Sequence, residues 1–100
     1  MSRAQVAMPK EQIESFCRRH HVRRLSLFGS VLRGDFHSES DIDVLVEFEP
    51  GCVPGLAFFA MEEELSRILN RKVDLNTAGF LSGSFRDEAL RSAEDQYVAP

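Results

Sequence analysis

The run Ile42-Asp43-Val44-Leu45-Val46 constrains the fold more than any other stretch of the chain. Val44 to Val46 is apolar at consecutive positions, and a strand that is apolar on both faces belongs in the middle of its sheet. Yet Asp41 and Asp43 flank Ile42 at the entrance to that strand. A carboxylate there is costly to bury without a partner. On a strand the two side chains point the same way, roughly 6.6 Å apart at about 3.3 Å rise per residue, and can converge on one site. An isolated Asp-x-Asp is more often a loop cap followed by an arginine-paired aspartate, so the surrounding residues must decide.

Those surroundings predict an α+β fold. Pro9 suits the first turn of a helix whose face is Ile13, Phe16, Cys17 and His20. "VRRLSLFG" alternates Leu25 and Leu27 with Arg24 and Ser26, a strand that stops at Gly29. A short helix can begin over 30–34, and "DFHSES" reads as a loop. After the central strand, Pro50 to Gly55 is rich in turn residues. Phe58, Met61, Leu65, Ile68 and Leu69 then form an apolar helical stripe, with Glu62, Glu63, Glu64 and Arg67 on the wet side. "KVDLN" is a short third strand and "TAGFLSG" is irregular. Phe85, Ala89, Leu90 and Ala93 mark a last helix, and Tyr97-Val98 adds a short edge strand. The expectation is one small mixed sheet of three to four strands flanked by helices.

A chain of 100 residues is expected to form one domain over 1–100, with residues 1–8 frayed. Net charge −4 argues against a broad footprint for long nucleic acid. "MSRAQVAMPK" has no apolar segment of the signal-peptide kind, and Cys52 to Met61, broken by Pro54 and Gly55, is too short to span a bilayer. Neither membrane association nor secretion is expected. Cys17 and Cys52 fit no zinc spacing and read as core or surface thiols of a reducing cytoplasm.

Two common explanations of the central stretch fail on their own residues. Gly29 to Gly34 begins like a phosphate-binding P-loop, but Asp35 and Phe36 follow where lysine and serine or threonine are required. A calcium loop starting at Asp41 lacks its glycine and its third oxygen ligand, since Leu45 and Val46 stand there. What remains is Gly29-Ser30 at the exit of a strand, where free N–H groups, a serine hydroxyl and an absent Cβ favour a phosphate. If the first two strands are antiparallel, Ser30 meets Asp41. Asp74, polar between Val73 and Leu75, joins them if the third strand runs parallel to the second. The intervening helix makes that crossover possible. Three carboxylates beside a phosphate-binding turn suit two-metal phosphoryl or nucleotidyl transfer.

Taken together, Gly29-Ser30, ten residues, then Asp41-Ile42-Asp43 resembles the signature of the DNA polymerase beta-like nucleotidyltransferase superfamily. "LFGSVLRGDFHSESDIDVLVEF" is similar to its minimal nucleotidyltransferase (MNT) branch, and "RKVDLNT" to that branch's later aspartate-bearing strand. Val31-Leu32 departs from the small residue common before the arginine. The resemblance implies a nucleotidyltransferase fold, ATP as substrate and two Mg²⁺ ions. Asp41 and Asp43 would bind both ions and Asp74 the one on the acceptor side. Gly29 and Ser30 would hold the β/γ-phosphates. Arg33 could also reach phosphate, or pair with Asp35 or Glu39 at the surface. His20 and His21 have no acidic or cysteine partner at ligand spacing and are expected to be structural or at the surface, and His37, in a loop, is expected to be solvated.

Larger relatives in the resembled superfamily append a domain that grips tRNA, RNA or an antibiotic, and none is expected here. MNT proteins of this size resemble antitoxins paired with HEPN-type ribonuclease toxins. The leading expectation is therefore a cytoplasmic protein adenylyltransferase that places AMP on a toxin hydroxyl, a tyrosine, as a type VII-like antitoxin. A homo-oligomer or a hetero-oligomer with the toxin would complete it. Two alternatives stand beside this: masking of the toxin by contact alone, and transfer to a small molecule held by a separate subunit.

Overall fold

The computed structural model describes residues 8–32, 41–52, 54–77 and 83–100, with the side chains of residues 30, 31 and 84–86 outside that set. Helix α1 (Lys10–Arg19) starts behind Pro9, which takes the N-cap position, and buries Ile13, Phe16 and Cys17. Glu11 in its first turn and Arg18 and Arg19 in its last complement the helix dipole. Strand β1 (Val22–Phe28) leads through a short 3-10 helix (Gly29–Leu32), and strand β2 (Ile42–Phe48) returns antiparallel to β1. Helix α2 (Ala57–Leu69) crosses over to strand β3 (Val73–Asn76), which lies parallel to β2. Helix α3 (Gly83–Ser92) precedes strand β4 (Glu94–Val98), antiparallel to β1. The sheet order β3-β2-β1-β4 puts the apolar β2 inside, as its composition requires.

Alternation along the strands sorts the side chains to two faces. Leu25, Leu27, Ile42, Val44, Val46, Val73 and Leu75 meet α1 and α2 in the main core, around the fully buried Phe16, Met61 and Leu65. Phe28 and Leu45 point the other way and pack with Ala89 of α3 in a smaller cluster. Asp43 shares the face of Leu45, two residues along. Met8, the last residue of the stretch expected to be frayed, packs against the main core; residues 1–7 lie outside the described set. The C-terminal strand is longer than the expected Tyr97-Val98. Its charged residues, Glu94 and Asp95, pair with β1 through the backbone. No helix among the described residues is long and apolar enough to cross a membrane.

The acidic run on α2 is not uniformly wet. Edge strand β3 has outward N–H groups that an unprotected edge would leave unpaired. The Leu75 N–H donates to Glu62 Oε2 at 2.9 Å and the Val73 N–H to Ser66 Oγ at 3.0 Å. Replacing Glu62 by alanine is expected to lower stability by about 1–3 kcal/mol, since a half-buried donor loses its partner. Urea denaturation of the two proteins checks it.

Glu64 instead accepts from the Arg19 guanidinium at 2.5 Å and meets His20 Nε2 at 2.9 Å. Partial burial raises its carboxyl pKa, but the bonds to Arg19 and His20 outweigh that and hold it below the ordinary value. A depressed acid adds stability above its unfolded pKa, and that increment is lost as pH falls through the folded one. Below pH 4.5, the ordinary glutamate value, wild type and Glu64→Gln should therefore converge in melting temperature, with the wild type ahead at neutral pH. A melting series against pH reads this directly.

Candidate active site

The chain leaves β1 through Gly29 at φ +77, a left-handed turn that glycine adopts without strain. A Cβ built on Gly29 would lie 2.3 Å from Asp43 Oδ2 and 3.2 Å from its Cγ. The backbone thus rests directly on the Asp43 carboxylate, and any larger residue would displace it. This contact follows from the register, which sets Phe28 opposite Asp43.

On its other side Asp43 is the register partner of Asp74. Adjacent strands lie about 4.8 Å apart, and in-register residues of a parallel pair share a face. Asp74 therefore joins Asp43 on the face away from the main core, opposite to the buried Val73 and Leu75. Asp41 precedes β2 by one residue and takes the same side as Asp43. The Ile42 N–H donates to the Lys72 carbonyl at 2.9 Å, which extends the β2–β3 ladder and sets Lys72 beside Asp41. Lys72 Nζ lies 3.9 Å from Asp41 Oδ2, a solvent-exposed and hence weak ion pair.

Asp41, Asp43 and Asp74 are thus gathered at one end of the sheet, Asp74 exposed and the other two half-buried. Like charges directly opposite on neighbouring strands repel. A cation held between them removes that cost, and carboxylate oxygens are the hard donors that Mg²⁺ prefers. The hard oxygen chemistry of this donor set suits such an ion. The antiparallel pairing expected of the first two strands is present. At their join the contact among described residues is Gly29 with Asp43. Ser30 is the second residue of the 3-10 helix there, but its side chain, like all of Arg33, Asp35, His37 and Glu39, lies outside the described residues.

Lys72 is the neighbour of Asp41 that sequence reading missed. Its signal was present in the position directly before Val73, which the parallel register turns into adjacency. His20 packs its ring at a tilt against Phe16 and bonds to Glu64, an acidic partner not expected from the sequence. His21, expected to have no partner, lies 3.7 Å from Glu49 at the far end of β1.

The family model of the nucleotidyltransferase domain matches residues 9–96. The chain is 36% identical over 90 residues to the protein adenylyltransferase MntA of Thermococcus cleftensis, covering 81% of this chain and 89% of that one. Among solved structures it superposes on one chain of a toxin-antitoxin complex with AMP-PNP at TM-score 0.74 and 21% identity, covering 92% of this chain and 75% of the other. It also superposes on a complex of tri-AMPylated Shewanella oneidensis HEPN toxin with MNT antitoxin at TM-score 0.65 and 20% identity, covering 90% and 70%.

Proposed function

Because the chain belongs to the nucleotidyltransferase domain family and is an enzyme of that class, we propose that it transfers AMP from ATP to a tyrosine hydroxyl of a HEPN-type toxin and thereby acts as its antitoxin. The observation that carries this reading is the seat of Asp43: Gly29 lies against its carboxylate on one side and Asp74 is paired with it on the other. A phosphate-binding turn, a metal-binding carboxylate and an acceptor-side carboxylate are what nucleotidyl transfer needs in one place. The relatives support the partner. The Thermococcus protein is a protein adenylyltransferase, and the Shewanella toxin carries AMP in the presence of its MNT antitoxin.

In this reading Asp41 and Asp43 would hold two Mg²⁺ ions, and Asp74 would help hold the one nearer the acceptor. Bound there, the ions neutralise triphosphate charge and make the acceptor hydroxyl more acidic. The backbone after Gly29 and the Ser30 hydroxyl hold the β/γ-phosphates, and Arg33 adds a positive charge to that end. The protein's own contribution is positioning and electrostatic preorganisation. The acceptor hydroxyl gives up its proton to solvent, its oxygen bonds to the α-phosphorus, the bond to the bridging oxygen breaks, and pyrophosphate leaves with that electron pair.

The test is transfer with ATP labelled at either end of its phosphate chain, using purified protein and partner toxin. Label from the α-phosphate should appear on the toxin, and label from the γ-phosphate only in pyrophosphate. Label from the γ-phosphate on the toxin would overturn the reaction type. Neutralised toxin with neither label would favour masking by contact.

A further inference from the structure

At the end of the β1–β2 pair remote from the three aspartates, two tight turns face each other. His21 joins α1 to β1 in a left-handed conformation, φ 58. Glu49 leaves β2 and opens a turn with Pro50 and Gly51 at its corner. Gly51 has φ 80, and the Cys52 N–H donates to the Glu49 carbonyl at 3.0 Å. Proline followed by a positive-φ glycine is the pattern of a type II turn, which is stiff. The Glu49 N–H in turn donates to the His21 carbonyl at 2.9 Å, carrying the ladder one step beyond Val22 and Phe48. The backbone therefore fixes both turns against each other. From them an imidazole, a carboxylate and a thiol converge, with ligand atoms within 4.8 Å of one another.

We propose that His21, Glu49 and Cys52 form a second cation site, one for a thiophilic divalent ion of which Zn²⁺ is the best match. Zinc takes nitrogen, sulfur and oxygen donors at about 2.0–2.3 Å, so the edges of its tetrahedron are roughly 3.3–3.8 Å. His21 Nδ1 and Glu49 Oε2, at 3.7 Å, lie a few tenths of an ångström beyond a nitrogen–oxygen edge. The thiol lies within 4.8 Å of both, so closing the other two edges takes a movement of about 1 Å. His21 and Glu49 are exposed and Cys52 half-buried, so an ion can enter, and a water can take the fourth position. The soft thiolate separates this site chemically from the all-oxygen carboxylates, which suit magnesium. Distance separates them too: the seven residues of β1 span roughly 20 Å, so one ion cannot serve both.

The chain has only one other cysteine, and it does not compete. Cys17 is buried in the main core, and burial, helped by the nearby Glu14, pushes its thiol up to about 12. Sequence spacing could not reveal the cluster. Its members come from a helix exit and a strand exit that only the β1–β2 register brings together.

Cobalt titration under reducing conditions tests the proposal, because Co²⁺ on a thiolate gives a near-ultraviolet charge-transfer band that oxygen ligands do not. One equivalent of Co²⁺ should produce the band and Zn²⁺ should displace it. Cys52→Ser should abolish it, while Cys17→Ser and Asp43→Asn keep it. His21→Ala should weaken Zn²⁺ binding on the order of 10–100-fold, at least the loss seen when outer-shell partners of a metal are removed. Zn²⁺ should also raise the melting temperature of the wild type but not of Cys52→Ser, since an ion that binds only the folded state stabilises it. No band in the wild type, a band surviving in Cys52→Ser, or equal Zn²⁺ affinity in wild type and Cys52→Ser would overturn the site.

Discussion

Gly29→Ala is expected to reduce nucleotidyl transfer by about 100-fold or more while the protein remains folded. The added Cβ would sit 2.3 Å from Asp43 Oδ2, a distance no real contact sustains. Either the carboxylate swings away or the turn after β1 moves, and both displace the proposed phosphate and metal ligands. The left-handed conformation adds about 1–2 kcal/mol of strain for any residue with a Cβ. A control separates strain from displacement. Gly55 also has a positive φ, +65, but nothing lies within 4 Å of a Cβ built there. Gly55→Ala should lose comparable stability and keep full transfer. Steady-state transfer rates and denaturant midpoints of the two variants read both effects. Equal activity in the two would mean that the Gly29–Asp43 contact has no part in the reaction.

Replacing both Asp41 and Asp43 by alanine should abolish Mg²⁺-dependent binding of a non-hydrolysable ATP analogue. The triphosphate carries several negative charges into a corner that already holds three carboxylates, and without a bridging cation the two repel. Removing two of the three ligands leaves Asp74, on an exposed edge strand, to hold the ion alone. The fold should survive, because both residues are only half-buried and neither belongs to the apolar core. Calorimetry with and without Mg²⁺ measures this. Wild-type affinity that is the same in the presence and absence of metal would contradict the role given to these residues.

The fold was legible wherever burial follows a simple period. The stripe of α2 announces itself, and three successive apolar residues put β2 inside the sheet; the alternation read in β1 did not extend to burial, since Ser26 is buried along with Leu25, Leu27 and Phe28. Strand β4 was under-read because an edge strand is held by backbone hydrogen bonds. Glu94 and Asp95 lie opposite Leu27 and Ser26 without needing to be apolar. Ser26 Oγ then donates to Asp95 Oδ1 at 2.6 Å, a pairing no local pattern predicts. In the site, the adjacency of Asp43 and Asp74 could be inferred because a helix long enough for a parallel crossover separates their strands. The seat of Asp43 on Gly29 and the approach of Lys72 to Asp41 could not, since both depend on register to a single residue. For the same reason Glu62 and Glu64 read as solvated charges. Their partners come from β3 and α1, not from their own helix.

The central claim is that the Asp43–Asp74 corner performs AMP transfer, and Asp74→Asn isolates it. The substitution keeps size and polarity at an exposed position, so folding should be unaffected. If Asp74 serves the acceptor side alone, nucleotide binding persists through Asp41 and Asp43 while the acceptor hydroxyl is no longer activated. Intact-mass spectrometry of the partner toxin, co-expressed with either form, is the direct measurement. The account predicts toxin heavier by whole AMP units with the wild type and unmodified toxin with Asp74→Asn. Toxin modified to the same extent by both forms would contradict it.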